Sequence, residues 1–293
     1  MRIAVLLYGH LRNFKECAPT LKRRVIEPYN ADVFVHTWDV TDHTTMTVSQ
    51  NGESRTIVRP VDAEVKKDID FYYSPKALEV EHQEPYDKGV VIETEKSRFS
   101  TVGPHYQFYT LRKANELRKQ YERDNNIKYD CVLVTRPDVA FFSDFDICRV
   151  FEQAEKINLD IAKCRFFALS KQPAESNLAL NINGTNDIIF FGKPAVIDKY
   201  IEVNKDIEVE YFKKHLINVV SVYTAKEIEN GIMPIPVAYL LGEDWNFSGR
   251  MSIIRMESGS LFKKFVKKCI AVVVRPIFWF EIRHGWINSY RKD

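Results

Sequence analysis

Three short runs constrain the fold most. "RIAVLLYG" (2–9), "ADVFVHTWD" (31–39) and "YDCVLVT" (129–135) are largely apolar, and each ends in polar residues. A strand wet on one face alternates apolar with polar residues, whereas a strand covered on both faces does not. Runs this short and this uniform therefore predict buried strands of a parallel sheet. Parallel strands need a crossover between them. The segment "CAPTLKRRVIEPY" (17–29) supplies it as a helix confined by Pro19 and Pro28. The chain thus opens as a βαβ unit.

The same alternation continues. "HYQFYTLRKANELRKQYERDNN" (105–126) spaces Tyr106, Tyr109, Leu111, Ala114, Leu117 and Tyr121 for one face of an amphipathic helix, ended by Asn125-Asn126. "TDHTTMTVSQNGESRT" (41–56) holds Asn51-Gly52, either a hairpin tip or a loop. Residues 59–83 read as a third βα segment, and 84–104 as loop. "SDFDICRVFEQAEK" (143–156) leads into a helix, where its carboxylates suit the dipole. Residues 159–169 and "DIIFFG" (187–192) read as strands around a loop at 171–186. "KPAVIDKYIEVNKDI" (193–207) reads as a helix with Pro194 near its start, and 210–231 as another stopped by Gly231. "MPIPVAYLLGED" (233–244) reads as extended. The expectation is an α/β three-layer sandwich with a central, mostly parallel sheet over residues 1–250, followed by a basic, amphipathic helical tail, 251–293.

Charge separates that tail from the body. From residue 250 onward ten Lys and Arg face three Asp and Glu, so +7 there leaves −5 for the rest of a chain whose total is +2. An acidic body argues against nucleic-acid binding, and a basic, aromatic tail predicts a local anionic partner. In "LFKKFVKKCIAVVVRPIFWF" (261–280) the apolar stretch is far below the roughly 20 residues that span a bilayer. The expectation is peripheral attachment to an anionic membrane surface, on the cytoplasmic face. The five cysteines are dispersed without a C-x-x-C pair, which fits reduced thiols in the cytoplasm and suggests no zinc site. The apolar run at the N-terminus is shorter than a signal-peptide core, so export is not expected.

In open α/β sheets ligands sit beyond the carboxyl ends of the strands. Three such ends carry polar groups: Gly9, His10, Arg12 and Asn13; then Trp38 and Asp39; then Arg136 and Asp138. Gly9 lets a backbone approach a ligand, and Arg12 can fork onto a phosphate; the plainer alternative is a turn with a solvated Arg. Trp38 reads either as a platform for a nucleobase or as a core Trp beside a capping Asp39. Pro137 cannot donate to a ladder, so the strand leaves the sheet there. Asp138 then either offers oxygens to a hard cation or closes the turn as a salt bridge to Arg136. The histidines lack metal-ligand spacing, and no G-x-S-x-G elbow occurs.

Together these residues resemble a known pattern. "YDCVLVTRPDVAFFSDFDICRVF" (129–151) resembles the central signature of GT-A glycosyltransferases: a buried strand ending in D-x-D, a short apolar strand, and a turn into a helix. "NGTNDIIFFGKPAVIDKY" (183–200) resembles the segment where such enzymes run from an acceptor-lining strand into a helix. "GHLRNF", "VFVHTWD" and "TRPD" in combination resemble bacterial glycosyltransferases of surface-polysaccharide assembly, over roughly residues 1–250.

The resemblance implies an enzyme moving a sugar from a nucleotide-activated donor to a glycan or lipid-linked acceptor, in lipopolysaccharide or capsule synthesis. It implies Gly9, His10, Arg12, Asn13, Trp38, Asp39 and Arg136 on the nucleotide sugar, and Asp138, Asp187, Glu243 and Asp244 as catalytic carboxylates. This chain departs from it at Arg136, which stands where D-x-D has its first Asp. Two arrangements follow. Either Asp138 alone holds Mn²⁺ or Mg²⁺, or Arg136 and Arg12 replace the metal. Given the place of Asp138 at a strand end after Pro137, its removal is expected to end transfer and spare the fold. The rivals are a nucleotide-sugar-binding protein with a decayed site and a nucleotidyltransferase. The latter lacks the second glycine that its loop usually carries.

Overall fold

The computed structural model describes residues 1–40, 47–50, 53–56, 64–86, 88–93, 98–168, 188–215, 219–241 and 251–253. The chain opens with β1 (Ile3–Tyr8), α1 (Phe14–Leu21), a π-helical stretch (Lys22–Ile26), α2 (Glu27–Tyr29) and β2 (Asp32–Trp38). Next come β3 (Thr47–Gln50), β4 (Glu53–Thr56), α3 (Val65–Tyr73) and β5 (Ala77–Glu81). A short hairpin of β6 (Val91–Glu93) and β7 (Arg98–Ser100) leads into α4 (Val102–Asn125). Then follow β8 (Cys131–Thr135), β9 (Val139–Phe141), α5 (Ile147–Lys156), β10 (Cys164–Phe167), β11 (Ile189–Gly192) and α6 (Pro194–Asn204). The last elements are α7 (Val209–His215), α8 (Val219–Glu229), β12 (Met233–Pro236), α9 (Val237–Leu241) and β13 (Met251–Ile253).

Seven strands form the main sheet in the order β12-β10-β11-β8-β1-β2-β5. β1 pairs in parallel with both β2 and β8, and β11 alone runs against its neighbours. All six residues of β1 are buried. Ile3, Val5 and Leu7 pack with Leu21, Ile69 and Val150 from α1, α3 and α5. Ala4, Leu6 and Tyr8 pack with Phe108, Leu111 and Tyr200 from α4 and α6. Helices therefore cover both faces, which is why β1 carries no polar alternation.

The chain departs from the expected elements where local signals are short. Residues 91–100 form a hairpin rather than a loop. Only Ile92, facing Phe99, is buried in β6, so its alternation spans three residues and is swamped by flanking charge. Residues 237–241 are helical rather than extended. β12 lies at the sheet edge, where Pro234 and Pro236 withhold donors at little cost. Beyond Pro236, a turn of helix puts Val237 and Leu241 on one buried face. The helix read across 210–231 is described as two, α7 and α8, with residues 216–218 outside the described range. Gly231 follows in the left-handed region at φ +70°, as a C-terminal stop requires.

The turn after β8 positions the site. Pro137 stands two residues past Thr135, the last ladder residue, and β9 leaves the main sheet to pair with β13 instead. Asp146 then caps α5, accepting from the Arg149 backbone N–H at 3.0 Å. Asp144 is tied to Arg24 at 2.5 Å. The carboxylates of "DFD" are thus occupied at a helix entrance. Among the described residues no helix is long and apolar enough to cross a membrane.

Candidate functional site

A cleft of about 270 Å³ opens where β1, β2 and β8 end and α4 begins. Tyr8, Gly9, His10 and Arg12 line it from the end of β1, Trp38 from β2, and Arg136 from beyond β8. Tyr106, Gln107 and Thr110 line it from α4. Five residues singled out in the sequence thus share one cavity: Gly9, His10, Arg12, Trp38 and Arg136. The loop after β1 is tightly wound, with Gly9 at φ +88° and Arg12 at φ +45°. Gly9 takes that conformation freely, but for an arginine it is uncommon and costs energy that the surroundings must repay.

Asp138 provides that compensation. It has no exposed surface. One oxygen accepts from Arg12 Nη1 at 3.0 Å and also from Arg136 Nη2; the other accepts from Arg136 Nε at 2.9 Å. Burial alone would raise its pKa, but the Arg136 and Arg12 guanidiniums outweigh burial and hold it below the ordinary carboxylate value. Two guanidiniums thus meet at one carboxylate, and among the described residues no Asp or Glu lines the cleft. The arrangement presents cations at the bottom of a concave surface, as an anion requires.

The same geometry bears on the metal reading of Asp138. A hard divalent cation takes about six oxygen ligands, carboxylates among them. Here the nearest carboxylate is enclosed by two guanidiniums and has no surface towards the cleft. Among the described residues the donor set does not fit Mn²⁺ or Mg²⁺, and the salt-bridge alternative describes Asp138.

The other predicted residues divide. The Trp38 ring stacks on Tyr109 at 5.4 Å and meets His36 and Tyr106 edge-on, so it is at once a core residue and part of the cleft wall. With one face on Tyr109 and only 4% of its surface exposed, it is not an open platform for a base. Its indole N–H has no partner among the described residues. Asp39 and Asn13 are not among the lining residues. Asp39 turns to the sheet edge, accepting from His82 Nδ1 at 2.6 Å and from the Gln83 backbone N–H at 3.3 Å. Asn13 precedes α1 without making a side-chain cap. Asp187, Glu243 and Asp244 lie outside the described residues.

Sequence reasoning missed Gln83. Its Oε1 lies 3.1 Å from Nε2 of the buried His10, fixing that ring against the cleft. Nothing local marks it; only the pairing of β2 with β5 brings residue 83 beside residue 10. His36, Glu79 and Glu81 also come together with metal-like spacing. Their charge is already met by Lys113, at 3.2 Å from Glu79 and 3.5 Å from Glu81, and by the Tyr109 hydroxyl on Glu81 at 2.7 Å. Burial pushes the His36 pKa down, consistent with a neutral ring inside a structural network. No protein-family model matches the chain, and no curated protein is significantly similar to it.

Proposed function

We propose that the chain is a GT-A-type glycosyltransferase that holds its nucleotide-sugar diphosphate with arginines instead of a metal ion. The observation that carries this reading is the cleft in which Arg12 and Arg136 stand over a shared, buried carboxylate, with no acid in the wall among the described residues. The order of elements also supports it. A buried strand, a short apolar strand and a capped helix follow in the sequence that the resemblance implies, and a strand running into a helix recurs at 189–204. In the reaction, an acceptor hydroxyl oxygen bonds to the anomeric carbon. The bond from that carbon to the diphosphate breaks, and the nucleoside diphosphate leaves with the electron pair. The two guanidiniums neutralise the charge that develops there. The hydroxyl proton goes to a carboxylate, for which Asp187, Glu243 and Asp244 are the candidates from sequence.

Arg12→Ala and Arg136→Ala are each expected to weaken nucleoside diphosphate binding about 10- to 100-fold, the worth of a charge-assisted hydrogen bond. Calorimetric titration measures this, and EDTA or Mn²⁺ should leave the wild-type affinity unchanged. Unaltered affinity in both variants would place the diphosphate elsewhere. A screen of nucleotide sugars for release of free nucleoside diphosphate separates an enzyme from a binding protein with the same cleft.

The acceptor class follows from the tail. Its residues, 251–293, lie almost wholly outside the described range. A basic cluster interleaved with Phe and Trp fits attachment to the anionic face of a membrane that carries a lipid-linked glycan. The full chain should co-sediment with anionic vesicles at low salt, and a chain ending at residue 258 should not. If both stay in the supernatant, the membrane reading fails.

A further inference from the structure

A second cavity of about 90 Å³ borders the same first turn of α4 and shares Pro104 with the cleft. Asn204, at the end of α6, lines it while only 2% exposed. Its Nδ2 donates to the Tyr200 carbonyl at 2.9 Å. A carbonyl can only accept, so the amide orientation is fixed and Oδ1 is the remaining atom. That oxygen accepts no hydrogen bond among the described residues. A buried acceptor left without a donor forfeits the hydration it had in the unfolded chain, so the cavity wants a donor from outside.

The rest of the wall narrows the chemistry. Tyr86 and His105 stack on each other at 3.6 Å and 9°, giving a flat side. Asp206 adds an acceptor, Lys88 and Lys205 add donors, and Ile207 adds an aliphatic edge. An anion would meet Asp206 and the Asn204 oxygen; a cation would meet two lysines. A neutral ring bearing hydroxyls satisfies both sets, because each hydroxyl donates and accepts. At about 90 Å³ the cavity is a third of the size of the cleft, which suits a single ring and not a chain of them.

We propose that this cavity is a saccharide subsite in which Asn204 Oδ1 accepts from a ring hydroxyl and the Tyr86–His105 pair packs on the ring face. Only one part of this rests on the glycosyltransferase reading, namely that the ring belongs to the acceptor glycan, held beside the donor cleft.

The test is an NMR titration of the full chain with the methyl glycosides of glucose, galactose and N-acetylglucosamine, with and without a nucleoside diphosphate. At least one glycoside should give saturable shifts at the amides of His105, Asp206 and Ile207. His105→Ala and Asn204→Leu should each weaken that binding about tenfold, the worth of one hydrogen bond or packed face. No shift with any glycoside, as when water alone fills the cavity, overturns the proposal, and so do shifts that persist unchanged in a folded His105→Ala. Glycoside binding without any nucleotide binding would leave this subsite standing and sink the donor reading instead.

Discussion

Asp138→Ala should destabilise the protein by about 3–5 kcal/mol, the cost of removing one partner from a buried ion pair, and should also abolish nucleotide binding. The two effects have one cause. Arg12 and Arg136 are largely buried, and each is oriented by the carboxylate between them. Without it two guanidiniums face each other in a poorly solvated site, and Arg12 loses the contact that compensates its left-handed backbone. The sequence led to the opposite expectation, a catalytic carboxylate whose loss spares the fold. Burial of Asp138 favours a loss of stability as well.

The pH dependence has a definite sign. A carboxylate whose native pKa lies below its unfolded value contributes stability in full above the unfolded pKa, about 3.9 for Asp. That contribution is lost as pH falls through the lowered native value. Urea unfolding of the wild type, Asp138→Ala and Asp138→Asn should therefore show a gap that is wide at pH 7 and narrows below about pH 4. A folded Asp138→Ala with near-normal stability and nucleotide affinity would remove the carboxylate from the site.

The strands of the sheet centre were legible because burial on both faces writes itself into unbroken apolar runs. The cleft was legible for the same reason: Gly9, Arg12, Trp38 and Arg136 follow runs that end together when strands are parallel. What the sequence could not show is which way a side chain turns once it arrives. Asp39 and Asp138 have the same standing in sequence, an acid just past a strand. One faces His82 at the sheet edge and the other is sealed under two arginines. Gln83 was invisible because its role depends on a ring 73 residues away. The hairpin of β6 and β7 was missed because three residues of alternation carry almost no signal.

A second large effect lies away from the cleft. Arg165 of β10 and Glu227 of α8 form a two-pronged ion pair, at 2.8 Å and 2.6 Å, with neither side chain exposed. The guanidinium also lies 4.5 Å from the Tyr200 ring centre and 4.9 Å from that of Phe190. The pair therefore joins α8 to the half of the sheet that carries β10, β11 and β12. Truncating the acid removes a two-pronged partner from a fully buried cation. Glu227→Ala should cost about 3–5 kcal/mol, against the 5–15 kcal/mol or so that typically separates folded from unfolded states. The pair itself has far less net worth, because burying both charges consumes most of their attraction. Arg165→Met with Glu227→Leu should thus recover most of the loss, although the ring contacts of the guanidinium go with it. Denaturant unfolding of both single variants and the double variant gives the coupling directly. A double variant as unstable as Glu227→Ala would mean that shape and ring packing, not the unpaired charge, set the cost. Nucleoside diphosphate affinity of the folded double variant should stay at the wild-type value, since neither residue lines the cleft.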